Sequence, residues 1–210
     1  MSGIDDLLAE ANDRWSRAMN NARDVEDLGM GEAVKTYYLR YFPAGALVLV
    51  AAGTVLGTIV FRGDGSSWSL NLAFGLLFAM AGALVGGLVY IAKKVSPAAL
   101  TYRSDVLLPL ENLERKHVTR QIAGKAPIER EHLSVARAGA VQQRKSLARQ
   151  LVLAPAYVFL FTAQATNWAG QEKPLAWIML MLVAVWLISI VLLVRDFRRA
   201  GRFLVSTSED

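Results

Sequence analysis

Acid–base and metal chemistry need groups that titrate near neutrality, held within reach of one another. This chain has two histidines, His117 and His132. Near the first lie three carboxylates, Asp105, Glu111 and Glu114. Such a set, placed at a cytoplasmic membrane interface, would suit proton transfer during lipid modification. The spacing argues for less. Neither histidine has a partner at HExxH spacing, and Glu131 is adjacent to His132, which puts the two on different faces of a helix. A solvated helix face accounts for the same residues equally well. The chain has no cysteine, which removes thiol catalysis, Cys-ligated zinc, iron–sulfur clusters and disulfides. Walker and GxGxxG patterns are missing. No catalytic, cofactor-binding or metal-ligating residue is therefore assigned, and no cofactor is expected.

The elements that would position these residues are dominated by long apolar runs. The 210 residues are 54% hydrophobic, and the mean hydropathy is +0.32. A helix needs about 20 apolar residues to cross a hydrocarbon core. Four segments qualify: 43–62, 70–92, 149–168 and 175–194. Each is read as a helix, because a backbone in lipid must satisfy its own hydrogen bonds. The third contains Pro155, Gln164, Thr166 and Asn167 and is the least apolar, with freedom to kink at Pro155 or to start near Leu147. No charged residue or histidine interrupts the interior of any span, so ion pathways and haem held between helices lack their usual ligands. Thr54, Thr58, Asn71, Thr162, Gln164 and Ser189 are the polar groups at depth, able to bond each other or the backbone.

Lysine and arginine orient the spans. Residues 1–42 carry five and the stretch 93–149 carries twelve. The tail 195–210 carries four, and the two short connecting loops carry one each, Arg62 and Lys173. The arm, the middle loop and the tail are therefore expected in the cytoplasm, with the spans in a plasma (inner) membrane of a bacterial cell. Trp68, Trp168 and Trp177 fall at the outer ends, and Tyr37, Tyr38, Tyr41, Phe42 and Tyr90 at the cytoplasmic ends, where amphipathic rings prefer to sit. The first forty residues lack the apolar core of a signal peptide, so the arm is expected to stay on the mature protein. The expected fold is all-α: a cytoplasmic arm (1–42), a first hairpin (43–92), a basic helical loop (93–148), a second hairpin (149–194) and an Arg-rich tail (195–210). The two halves share a loose plan, with little similarity residue by residue.

Within the arm, Ile4, Leu7, Leu8, Ala11 and Trp15 recur at helical spacing, continued by Ala18 and Met19. Ser2 is a candidate cap. The acidic start of this helix disfavours anionic lipid, so the stripe is expected to dock on protein, either the chain's own middle loop or another subunit. In the middle loop, Ser96-Pro97 reads as a helix start, Val106, Leu107, Leu110 and Leu113 as a short apolar stripe, and Glu111 as an i,i+4 partner of Arg115. Pro127 reads as the opening of a helix that runs into the third span.

Small residues stripe the first hairpin. Gly53 and Gly57 form one GxxxG and Gly82 and Gly86 another, while Gly75, Ala79, Ala83 and Gly87 recur every four residues. Such faces let helices approach closely. Packing within the hairpin explains one line, and the second suggests contact with a further helix. The fourth span has no glycine and is bulky all round, which suits lipid or a large partner. Arg195, Arg198, Arg199 and Arg202 make one basic face, suited to anionic lipid headgroups or an acidic partner. Because the charges lie beside apolar spans, the net charge of +5 points to a membrane surface and not to nucleic acid. The expected partners are the bilayer and another membrane protein or a second copy. The expected role is a non-enzymatic accessory or scaffold subunit of a membrane assembly, with a small homo-oligomeric transporter or channel as the alternative and a lipid-modifying enzyme behind both.

Overall fold

The computed structural model describes residues 2–62, 67–100, 105–171 and 173–208, apart from the side chains of residues 2–4, 7 and 100. About 82% of the protein is helical, and four helices are long and apolar enough to cross a membrane. In chain order the elements are α1 (Ser2–Ala22), β1 (Glu26–Asp27), α2 (Met30–Thr36), α3 (Phe42–Val60), α4 (Trp68–Tyr90), β2 (Ala99–Leu100), α5 (Asn112–Ile122), α6 (Leu133–Ala169) and α7 (Leu175–Ser206). One π-turn, Tyr37–Tyr41, precedes α3, and another, Ile91–Val95, follows α4. The caps follow local chemistry. Pro43 stands in the first turn of α3, where a missing N–H is harmless. The Ser67 hydroxyl accepts the Leu70 N–H at 3.2 Å to start α4. Glu111 and Glu114 form a capping box that starts α5.

The described chain forms two compact units. Unit 1 comprises Met1–Met30, Ser96–Leu147 and Arg195–Asp210, and unit 2 comprises Gly31–Val95 and Ala148–Val194. Unit 1 has a conventional apolar core of Ala18, Val106, Leu110, Val118, Ile122, Val135, Ala136, Ala138, Ala140, Ala200 and Phe203. Unit 2 is built from the apolar lengths of the four long helices.

Two expectations change. Ser96-Pro97 opens a turn and not a helix, because the Leu28 N–H donates to Ala98 O at 2.8 Å and Ala99–Leu100 pairs antiparallel with Glu26–Asp27. Pro127 does not begin a helix either. Glu129 is extended (φ −90°, ψ 115°), a 3-10 turn fills Arg130–His132, and α6 starts at Leu133. As expected, one helix runs from the middle loop into the third span: α6 is continuous over 37 residues and through Pro155.

Candidate functional site

The first hairpin brings its small residues together by backbone approach. A Cβ on Gly53 would lie 2.7 Å from the Phe78 Cβ and 2.8 Å from the Gly75 Cα. One on Gly75 would lie 2.6 Å from the Val50 carbonyl and would collide with the Thr54 hydroxyl. Gly57 faces the Asn71 backbone at 3.2 Å, and Ala79 is buried. Gly87 instead faces α6, where the nearest atom, a Leu153 methyl, is 3.1 Å away. Gly53, Gly57 and Gly75 thus fill the closely packed α3–α4 face, and Gly87 a separate contact with α6.

Gly82, Ala83 and Gly86 have another environment. They line an apolar cleft of about 280 Å³ together with Gly45, Ala46 and Leu49. The Leu49 side chain covers Gly82, whereas Gly45 and Gly86 would meet nothing within 4 Å if they gained a Cβ. An aromatic group bounds the cleft at the π-turns. Tyr37 and Tyr41 stand 5.1 and 5.3 Å from Tyr90, ring centre to ring centre, and Phe42 stands 6.0 Å from Phe159. The Tyr90 hydroxyl donates to Ala33 O at 2.7 Å and the Tyr38 hydroxyl to Leu151 O at 2.6 Å, so these rings are tethered to backbone. Single-turn π-segments are frequent at functional positions.

The second hairpin is joined differently. Trp186 of α7 stacks on Tyr157 of α6 at 4.5 Å with planes 2° apart. Elsewhere α7 is open: Trp177, Met181, Ile188 and Val191 are each more than 60% exposed. None of the most apolar 18 residues of α7 is buried, against 33% of the same window in α4 and 39% in α6. Four of the polar groups at depth bond their own helices. Thr54, Thr58, Thr162 and Ser189 donate to Val50 O, Val55 O, Val158 O and Val185 O.

In unit 1 the N-terminal stripe divides. Leu8 is 59% exposed, Ala11 and Trp15 are half-buried, and Ala18 is fully buried. The side chains of Ile4, Leu7 and the candidate cap Ser2 lie outside the described residues. Trp15 stacks on His132 at 3.7 Å, with planes 9° apart. This places a histidine expected at the surface against the core, with its Nδ1 buried. Beside it, Arg14 bridges Glu10, Glu111 and Glu114, each at 3.3 Å. The hydrogen bond that Arg14 donates to Glu114 holds the guanidinium above its ordinary pKa, against partial desolvation. Glu111 and Glu114 thus face Arg14, and Arg115 donates to Leu110 O at 2.7 Å. His117 pairs with Glu129 at 2.9 Å, and Asp105 accepts the Leu107 N–H at 3.0 Å. The acid–base candidates therefore have structural partners and are not gathered around one cleft. Among the described residues, no group of three or more acidic, histidine or cysteine side chains is placed to hold a metal.

Arg195, Arg198 and Arg202 are exposed and Arg199 is half-buried; Arg199 lies one turn from the buried Phe203, on the border between the basic side of α7 and its buried side. A charged centre not foreseen from the sequence lies close by. Arg144 pairs with Asp27, lies 4.6 Å from the Phe197 ring centre, and occupies the space left by Gly201. Asp27 also accepts the Gly29 and Met30 N–H groups at 3.0 and 2.8 Å. The available signal was Gly201, a glycine inside an Arg-rich helical stretch. No family model, curated protein or solved structure matches this chain.

Proposed function

We propose that this protein is a non-enzymatic accessory or scaffold subunit of a larger membrane assembly. It would sit in the inner membrane of a bacterial cell, with its arm, middle loop and tail in the cytoplasm. The observation that carries this reading is the surface of α7. In the most apolar stretch of α7, Met179, Leu182, Val183, Trp186 and Ile190 form a half-buried face, while the other side, with Trp177, Met181, Ile188 and Val191, is exposed. Helices in lipid gain little from generic hydrophobicity and associate by shape. A bulky outline of Trp177, Met181, Ile188 and Val191 suits a groove on another protein. The cleft at Gly45 and Gly86 gives a second surface, one that accepts a protruding side chain. The membership of unit 1 supports the topology, since the arm, middle loop and tail form one compact body.

Photo-crosslinking in native membranes tests this, with the reactive side chain placed in turn at Met181, Ile188 and Gly86. The expected product is an adduct with one other membrane protein at each α7 position, identified by mass spectrometry. Adducts with a second copy alone would overturn the accessory role and favour a homo-oligomeric transporter, to be followed by flux measurements in liposomes. Lipid adducts alone would leave α7 as a lipid-facing helix and would also overturn it.

A further inference from the structure

Unit 1 contains a groove of about 420 Å³ that the reading above does not use. The end of α5 and the turn after it, residues 121–128, form one wall. Arg199, Arg202, Phe203 and Ser206 of α7 form the other. Ile122, Pro127, Ile128 and Phe203 make its lining largely apolar, and Gln121 adds a primary amide.

Gln121 is 1% exposed, and neither Nε2 nor Oε1 has a hydrogen-bond partner among the described residues. A buried polar atom left unsatisfied destabilises the fold. A leucine would fill the same space without that cost; Gln121 is among the residues that line the groove, and a turn of its side chain brings the amide to whatever sits there. Its donor and its acceptor both need a partner. A hydroxyl can serve either, whereas an ammonium can serve only the carbonyl. Charge orients the occupant. The carboxyl end of α5 carries the negative end of a helix dipole, so an anion is favoured on the α7 side. There, Arg202 is exposed with no ion pair among the described residues, and Arg199 meets Asp196 at 3.6 Å, too long for a hydrogen bond.

We propose that this groove binds the headgroup of a hydroxyl-bearing anionic phospholipid, of which phosphatidylglycerol is the simplest. The phosphate lies on Arg199 and Arg202 and a headgroup hydroxyl on Gln121. The proposal rests on α7 crossing the membrane as read above. Arg199 and Arg202 follow Val194, the last residue of the apolar run, by five and eight residues, about 8 and 12 Å of helical rise. The headgroup layer is about 5–8 Å thick on each side, within reach of side chains as long as arginine.

The test uses the full chain purified in a neutral detergent. Retained lipid is measured by native mass spectrometry after incubation with phosphatidylglycerol, phosphatidic acid, phosphatidylethanolamine or phosphatidylcholine. Phosphatidylglycerol should be retained about tenfold better than phosphatidic acid, the difference expected for one or two hydrogen bonds. Gln121→Leu should abolish that preference while leaving phosphatidic acid binding intact, and Gln121→Met serves if the leucine variant does not fold. The pair Arg199→Gln and Arg202→Gln should lose both lipids, whereas Arg195→Gln with Arg198→Gln should keep the preference. Equal retention of the two anionic lipids, or an unchanged preference in the Gln121 variants, would falsify the proposal and reduce the arginines to surface charge. Competition by free glycerol phosphate at equal concentration would move the ligand from the membrane to the cytoplasm and overturn the lipid assignment. The cross-linking positions all lie in unit 2, so either experiment can fail without the other.

Discussion

Gly75 and Gly201 both make room on a long helix, but for different things. At Gly75 the space admits backbone, with the Val50 carbonyl 2.6 Å from where a Cβ would stand. At Gly201 it admits a charged side chain, the Arg144 guanidinium, at 3.1 Å. The contrast extends to the units that contain them. Unit 1 combines an apolar core with ion pairs around Arg14 and Arg144, as a domain in water does. Unit 2 joins α3 to α4 through glycine and alanine, and its Thr54, Thr58, Thr162 and Ser189 hydroxyls bond their own helices. The proposed topology accounts for the difference. In water, burying apolar area is itself a driving force. In lipid that force is absent between helices, and close van der Waals approach takes its place.

Breaking the backbone contact should have the largest effect. Gly75→Leu forces α3 away from α4, and overpacking of this kind costs about 3 kcal/mol or more where backbone is the obstacle. Thermal unfolding in detergent should show a large loss of stability, or no monodisperse protein at all. Gly86→Leu, on the same helix but facing the open cleft, should change stability by less than about 0.5 kcal/mol. Equal losses in the two variants would show that the hairpin does not use the face described here.

Next in size is the charged centre of unit 1. Arg144→Met leaves Asp27 largely buried without its partner, at a cost of about 2–3 kcal/mol after allowance for its residual exposure. Asp27→Ala should cost more, because it also removes the acceptor for the Gly29 and Met30 N–H groups. A double-mutant cycle should give a coupling of about 1 kcal/mol or more that is little changed by salt. Additive losses would mean that the pair contributes nothing as a pair.

Trp15→Ala removes a ring stacked on His132 and packed against the core of unit 1. Because Trp15 is half-buried, a cost of about 2 kcal/mol is expected, below that of a fully buried tryptophan. Urea melts of the variant should show it, and no change would mean that α1 is not docked. The smallest effect belongs to the exposed pair Arg17–Asp13, 2.9 Å apart. Arg17→Ala should shift stability by about 0.5 kcal/mol or less, vanishing at high salt. A larger shift would place that face of α1 in a contact.

Several features were legible in advance because they depend on local composition. Uncharged runs near span length identify the four long apolar helices, and the i, i+3, i+4, i+7 spacing of Arg195, Arg198, Arg199 and Arg202 places them on one side of α7. The repeated small residues identified where close packing was possible, but not which line would be used. Only the fold separates Gly53, Gly57, Gly75 and Gly87, which face other helices, from Gly86, which faces open space. Ser96-Pro97 misled for a related reason. A helix start is a local preference of less than about 2 kcal/mol, and here pairing with a strand some seventy residues earlier overrides it.

What the sequence determined by itself is therefore the part governed by single-helix physics. This covers the length and apolarity of the long helices and the crowding of basic residues in the arm, middle loop and tail. These follow from the energetics of transferring one segment at a time from water to lipid, and each can be summed along the chain. Tertiary structure alone decided the rest. It buried the amide of Gln121, stacked Trp15 on His132 and brought Arg144 to Asp27 across 117 positions. In each of these the energy belongs to a pair of groups distant in sequence, and it has no value until the fold brings them together.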